Sequence, residues 1–171
     1  MLEFRSIDLS DAAGKEAAVR FRRDSFVCSF GDDARFDERH YLTWLEAKLA
    51  RDPGLALHAF EGNRLVGQLE LGTFTPIPSI GYVNLYYLVP SRRGAGLGAE
   101  LDGHAMQALH ARGFGTARLS VSPSNGRARR FLTRHGWKEL GPRPEVPDVI
   151  SLEKELYAPS ARSPAVGTEP P

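Results

Sequence analysis

The sequence predicts an α/β (α+β) fold, a mixed sheet with about four helices. Two observations carry this: the hydrophobic period changes from helical to strand-like near residue 55, and beyond residue 81 strand, helix, strand and helix follow in order. A third is composition. At 171 residues, 42% hydrophobic and 25% charged, the chain suits one globular domain that buries a core without disulfides or metals.

Leu2, Phe4 and Ile7 mark a first strand, after which Ser10 or Asp11 caps a helix running through Ala17, Val19 and Phe21 toward Phe26. The break at Gly31-Asp32-Asp33 follows it. Tyr41, Leu45 and Leu49 recur at four-residue spacing, with Leu42 beside them, and predict a second helix that Asp52-Pro53-Gly54 stops. Residues 55–60 and 65–71 are short apolar runs, and Glu61-Gly62-Asn63-Arg64 between them predicts a hairpin with a loop longer than two residues. Residues 81–89 are aromatic and β-branched with almost no polar break, the composition of a central strand covered on both faces.

Pro90 ends that strand. Beyond the glycines, Leu97, Leu101, Ala105 and Leu109 form an amphipathic helix closing near Gly113. Residues 117–121 are a further strand, Pro123 breaks it, and Asn125 caps a short helix through Ala128, Phe131 and Leu132. Residues 137–140 and 149–152 supply a last strand pair. From Ala158 the chain is small, polar and proline-rich, which reads as a disordered tail after one domain over residues 1–157.

The 22 Lys plus Arg against 21 Asp plus Glu predict no footprint for nucleic acid or anionic membrane. Cys28 is the only cysteine, and no Cys/His spacing suits zinc, so no metal is expected. The N-terminus lacks the basic start and apolar run of a signal peptide, and no apolar stretch approaches membrane-spanning length. A cytoplasmic protein is the expectation.

Arg93-Gly94-Ala95-Gly96-Leu97-Gly98 follows the best strand and opens the best helix, so its main-chain N–H groups are free at the positive end of a helix dipole. That is an anion site, to which Arg92 and Arg93 add charge. A tight surface turn with two solvated arginines accounts for the segment taken alone. A P-loop needs Gly-Lys-Ser/Thr, but Gly98 precedes Ala99-Glu100. Gly94-Ala95-Gly96-Leu97-Gly98-Ala99 meets the dinucleotide pattern in letters. Yet the next strand ends Val121-Ser122-Pro123 without the acid that holds a ribose, which disfavours NAD.

Arg93-x-x-Gly96-x-Gly98 after Val89-Pro90 resembles the acetyl-CoA motif of the GNAT superfamily of N-acetyltransferases. Asn125-x-x-Ala128-x-x-Phe131, then Gly136-Trp137, resembles its second cofactor segment, and the likeness spans residues 2–155. The resemblance implies a mostly antiparallel sheet with a central splayed strand pair and pantetheine in the gap. Main-chain groups of Leu88 and Val89 would hold the pantetheine amides, and the N–H groups of Gly94, Ala95, Gly96, Leu97 and Gly98 the pyrophosphate. Asn125 would contact the cofactor from the other side. The implied reaction is acetyl transfer to a primary amine of a small molecule or protein. The implied assembly extends to a possible homodimer through an edge strand.

The pattern departs from the family at Leu132, where a tyrosine commonly protonates the leaving thiolate; Thr133 lies about 100° around the helix. That departure keeps a non-catalytic acyl-CoA-binding module as the alternative. Glu70 interrupts the apolar run Gln68-Leu69-Glu70-Leu71 and is a candidate base, although a solvated strand face carrying Gln68 and Glu70 explains it as well. Tyr86 and Tyr87 point to opposite faces, and Tyr86 is a second catalytic candidate; core packing is the ordinary role of both. Phe26, Phe30, Phe36, Tyr41 and Trp44 form an aromatic group that lines an acceptor pocket or belongs to the core. His40, His104, His110 and His135 show no partner pattern.

Overall fold

A computed structural model describes residues 1–156; the expected tail from Ala158 lies outside them. The elements run β1 (Glu3–Ser6), α1 (Ala12–Phe30), α2 (Glu38–Arg51), β2 (Ala56–Glu61), β3 (Arg64–Thr73) and β4 (Gly81–Leu88). After these come α3 (Leu97–Ala111), β5 (Thr116–Val121), α4 (Gly126–Arg134), β6 (Lys138–Pro142) and β7 (Ile150–Glu155). One seven-stranded sheet has the order β1-β2-β3-β4-β5-β7-β6, so β4 is central, as its composition predicts. Every neighbouring pair is antiparallel except β4 and β5.

Local chemistry sets the boundaries. Asp11 caps α1 by accepting from the Gly14 N–H at 2.8 Å, and the helix runs one turn past Phe26 because no breaker intervenes before Gly31, which stops it at φ 88°. Asp37 caps α2 through the His40 N–H. The β2–β3 connection is shorter than expected. Glu61 pairs with Arg64, leaving a two-residue turn in which Gly62 takes φ 59°.

Two cores cover the sheet. Leu69, Leu71, Val83, Ala117, Leu119 and Val121 belong to one cluster with Leu97, Leu101, Ala105 and Leu109 of α3, together with Leu132 and Trp137. On the opposite face, Ala17 and Phe21 of α1 cluster with Leu85 and Tyr87, and Ala18, Tyr41 and Leu45 with Ile7 and Ala56.

A bulge in β4 explains how Val83 and Leu85, two residues apart, reach different faces. Glu70 pairs with Leu85 but Leu71 with Val83, so Asn84 is an extra residue that resets the alternation. Tyr86 and Tyr87 still diverge, Tyr86 toward α3 and Tyr87 toward α1.

Candidate functional site

The site begins where the sheet comes apart. β4 and β5 share only two rungs, Gly81–Ala117 and Tyr82–Arg118, and separate beyond them. The Val89 N–H reaches back to Val66 O of β3, so alternation turns the Leu88 main chain toward the opening, where its carbonyl accepts from Arg93 Nε at 2.8 Å. The chain then makes a single helical turn over Pro90–Arg92 and passes through Gly94 (φ 84°) and Gly96 (φ 83°) into α3. Both torsions lie in the left-handed region that only glycine enters at little cost. Gly96 is the N-cap and offers no side chain, so the first turn of α3 keeps main-chain donors open toward the gap.

The two arginines singled out beside this loop are already engaged. Arg93 pairs with Asp24 at 3.2 Å, an oxygen that also accepts from Tyr87 Oη at 2.7 Å, and Arg92 pairs with Glu61. Arg127 of α4, which the sequence reading passed over, reaches the loop instead. One of its terminal nitrogens lies 3.9 Å from where a Cβ on Gly94 would sit, and it has no acidic partner among the described residues. Its only sequence signal was its place two residues after Asn125. Asn125 itself caps α4, its Oδ1 accepting from the Ala128 N–H at 3.2 Å.

Glu70 is fully buried, as is Gln68, so their shared face is not solvated. Tyr41 Oη donates to Glu70 Oε1 at 2.6 Å, Gln68 Nε2 donates to the same oxygen at 2.7 Å, and Arg22 Nη1 donates to Oε2 at 3.1 Å. Arg22 also donates to the Asn84 carbonyl at 2.9 Å, which ties the acid to the bulge. Burial, then the charge of Glu70, pushes the Tyr41 phenol well above its usual range, so it remains a donor.

Lys48 completes this polar group. Its ammonium donates to Leu71 O and to Asn84 Oδ1, and it lies 4.5 Å from the Trp44 ring centre. Burial lowers its pKa to about 8. The five aromatics form a chain of rings between α1 and α2, with Phe26–Phe36 at 5.6 Å, Phe36–Tyr41 at 5.8 Å and Tyr41–Trp44 at 6.1 Å. Tyr41 is buried while the other four are only half-buried, so the group is part core and part wall. Sequence reading missed Arg22 and Lys48, whose bonds to Glu70 and to Asn84 a helix pattern does not reveal.

Tyr86 turns away from this group. Its hydroxyl donates at 3.1 Å to Asp102 of α3, which also accepts from Trp137 Nε1 at 2.8 Å and pairs with Lys154 at 2.6 Å. Burial raises the Tyr86 pKa well above the usual phenol value, with Asp102 adding to it. Leu132 is buried in the α3-side core, and Thr133 is exposed. No group of three or more metal-ligating side chains occurs among the described residues, and no helix there is long and apolar enough to cross a membrane.

Residues 16–137 match the family model described as the acetyltransferase (GNAT) family. No curated protein matches the sequence. Among solved structures the chain is similar to PaiA N-acetyltransferase from Thermoplasma acidophilum in complex with coenzyme A. The identity is 20% and the TM-score 0.65, over 91% of this chain and 99% of that one. It is also similar to yncA from Salmonella typhimurium with its cofactor acetyl-CoA, at 18% identity and TM-score 0.69 over 95% and 98%. An N-acetyltransferase from Staphylococcus aureus gives 18% identity and TM-score 0.72 over 92% and 99%. At these identities the structures share the fold, and the family rests on the sequence model.

Proposed function

The chain belongs to the acetyltransferase (GNAT) family, and from that premise we propose that it is an acetyl-CoA-dependent N-acetyltransferase acting on a primary amine of a small molecule or protein. The observation that carries the reading is the opening between β4 and β5, with two left-handed glycines and an uncapped helix N-terminus at its mouth. These residues fit the cofactor. A pyrophosphate needs closely approachable N–H donors and nearby positive charge, and Gly94, Ala95, Gly96, Leu97 and Gly98 offer the first while Arg127 offers the second. The Leu88 main chain, turned toward the opening, would hold a pantetheine amide, whereas Val89, its N–H given to Val66 O and its carbonyl to the Arg92 N–H, would take part only if those bonds opened; Asn125 would stand on the α4 side. Bound acetyl-CoA supplies an activated thioester.

The remaining residues orient and shield. Glu70 is already bonded through both oxygens, so its proposed part is to hold Arg22 and Tyr41 in place at the bulge, and it takes an acceptor proton only if Arg22 first swings away. Tyr86 is assigned to packing beneath α3, because its hydroxyl is spent on Asp102. Leu132 offers no proton, so the sulfur leaves as a thiolate or is protonated by solvent.

The test is consumption of acetyl-CoA against a panel of primary amines, with the product examined for a new amide. Acceptor-dependent thiol release supports the proposal. Tight binding without consumption of acetyl-CoA across the panel makes the chain an acyl-CoA-binding module instead.

A further inference from the structure

At the closed end of the strand pair, the end away from the glycine loop, lies a cavity of about 250 Å³. Phe74, Ile77, Arg118, Arg143, Glu145 and Ser151 are among its walls. Arg118 forms the last β4–β5 rung with Tyr82, so the cavity stands where the sheet begins to open. Six strand steps separate Tyr82 from Leu88, roughly 20 Å at about 3.3 Å per residue. The Asn84 bulge lies between those two ends.

Two guanidinium groups share one ring in this cavity. Arg118 and Arg143 each place their central carbon 5.0 Å from the centre of Phe74. Both charges therefore fall within about one Debye length, ~8–10 Å, of each other, where like charges repel. Neither is fully used. Arg118 donates through Nε to Glu153 at 2.7 Å, which leaves its two terminal nitrogens without a hydrogen-bond partner among the described residues. Arg143 spends Nη1 on two neutral hydroxyls, Tyr82 Oη at 3.2 Å and Ser120 Oγ at 3.3 Å. Its Nε is buried and makes no hydrogen bond, but it forms an ion pair with Glu145 Oε2 at 3.5 Å, and Glu145 also lines the cavity. Each guanidinium therefore has one acid beside it and keeps N–H donors that make no hydrogen bond, and an oxyanion between the two would take those donors from both forks.

We propose that this cavity binds the acid group of the acceptor, so that the acceptor is a small amine that also carries a carboxylate or phosphonate. The inference rests on the acetyltransferase reading above and names the substrate class of that site. The volume suits a group smaller than a drug-sized ligand, whose pockets run from roughly 300 to 1,000 Å³. The Phe74 ring supplies an apolar floor for its short body. An acceptor anchored here extends its amine along β4 toward the Asn84 bulge.

The experiment titrates the CoA-saturated protein with matched pairs, α-amino acids and aminoalkylphosphonates against the same amines lacking the acid, by calorimetry. The acid-bearing member of at least one pair is expected to bind about tenfold tighter or more, a step of the size a charge-assisted fork contributes. Arg118→Gln and Arg143→Gln should each remove most of that preference while leaving affinity for CoA and for the acid-free amines unchanged. Arg143→Lys, which keeps the charge and loses the fork, should fall between. If both members of every pair bind alike or not at all, or if the variants weaken both members equally, the inference is overturned. Absence of CoA binding by the unaltered protein would instead overturn the acetyltransferase reading. The relative preference for carboxylate or phosphonate identifies which oxyanion the cavity takes.

Discussion

Phe131 of α4 occupies the space that a side chain on residue 98 of α3 would need: a Cβ added to Gly98 would stand 2.7 Å from a ring carbon. The contact joins the two segments that carry the cofactor motif. Gly98 is therefore required for close approach of two helices, quite apart from any ligand. Replacing it with Val should destabilise the protein by about 1–3 kcal/mol, as overpacking does. Trimming Phe131 to Leu in the same chain should recover part of that loss, and urea denaturation of the double-mutant cycle measures the coupling.

Gly96 is needed for another reason. Nothing lies within 4 Å of a Cβ placed there, but its φ of 83° is strained for any residue with a side chain. Gly96→Ala should cost about 1–2 kcal/mol without disturbing neighbours, read as a lower thermal midpoint with unchanged packing elsewhere.

Lys48 makes stability depend on alkaline pH. With its folded pKa lowered to about 8 and an unfolded value near the usual ~10.4, the unfolded chain binds more protons between these limits, so stability rises with pH there. The raised Tyr41, Tyr86 and Tyr87 phenols act in the opposite sense, but only as pH passes their unfolded value of about 10. Denaturant midpoints measured from pH 8 to 10 should climb in the unaltered protein and lose that climb in Lys48→Met.

Asp102 and Tyr86 separate structure from chemistry. Asp102→Asn leaves the half-buried Lys154 without its counter-charge and should cost about 1.5–3 kcal/mol, the range for a hydrogen bond to a charged group. Tyr86→Phe removes one hydrogen bond and should cost about 1 kcal/mol with kcat unchanged. A large fall in kcat for Tyr86→Phe with the fold intact would return that hydroxyl to the chemistry.

Most of the fold could be read in the sequence because local signals agreed with the tertiary structure. Asp11, Asp37 and Asn125 cap helices, and the run over residues 81–89 is the sheet centre. The hairpin turn was read too long because Glu61 and Arg64 look like loop residues yet form the last rung. The glycine loop was legible as conformation, since left-handed torsions demand glycine. The Asn84 bulge, the buried Arg22–Glu70–Tyr41 group and the ring shared by Arg118 and Arg143 were not. Each joins residues far apart in the chain, and neither composition nor period records which strand slips by one residue.

The most direct test of the cofactor site is thermal denaturation of the purified protein with acetyl-CoA, CoA, NAD or buffer alone. Ligand at about 100 times its dissociation constant adds about 2.7 kcal/mol to a protein that binds it only when folded. The midpoint should rise with acetyl-CoA and CoA, and the rise should vanish when Gly96 and Gly98 are both replaced by bulky residues in a chain that still unfolds cooperatively. A flat response to acetyl-CoA and CoA, or a rise with NAD alone, would contradict the account.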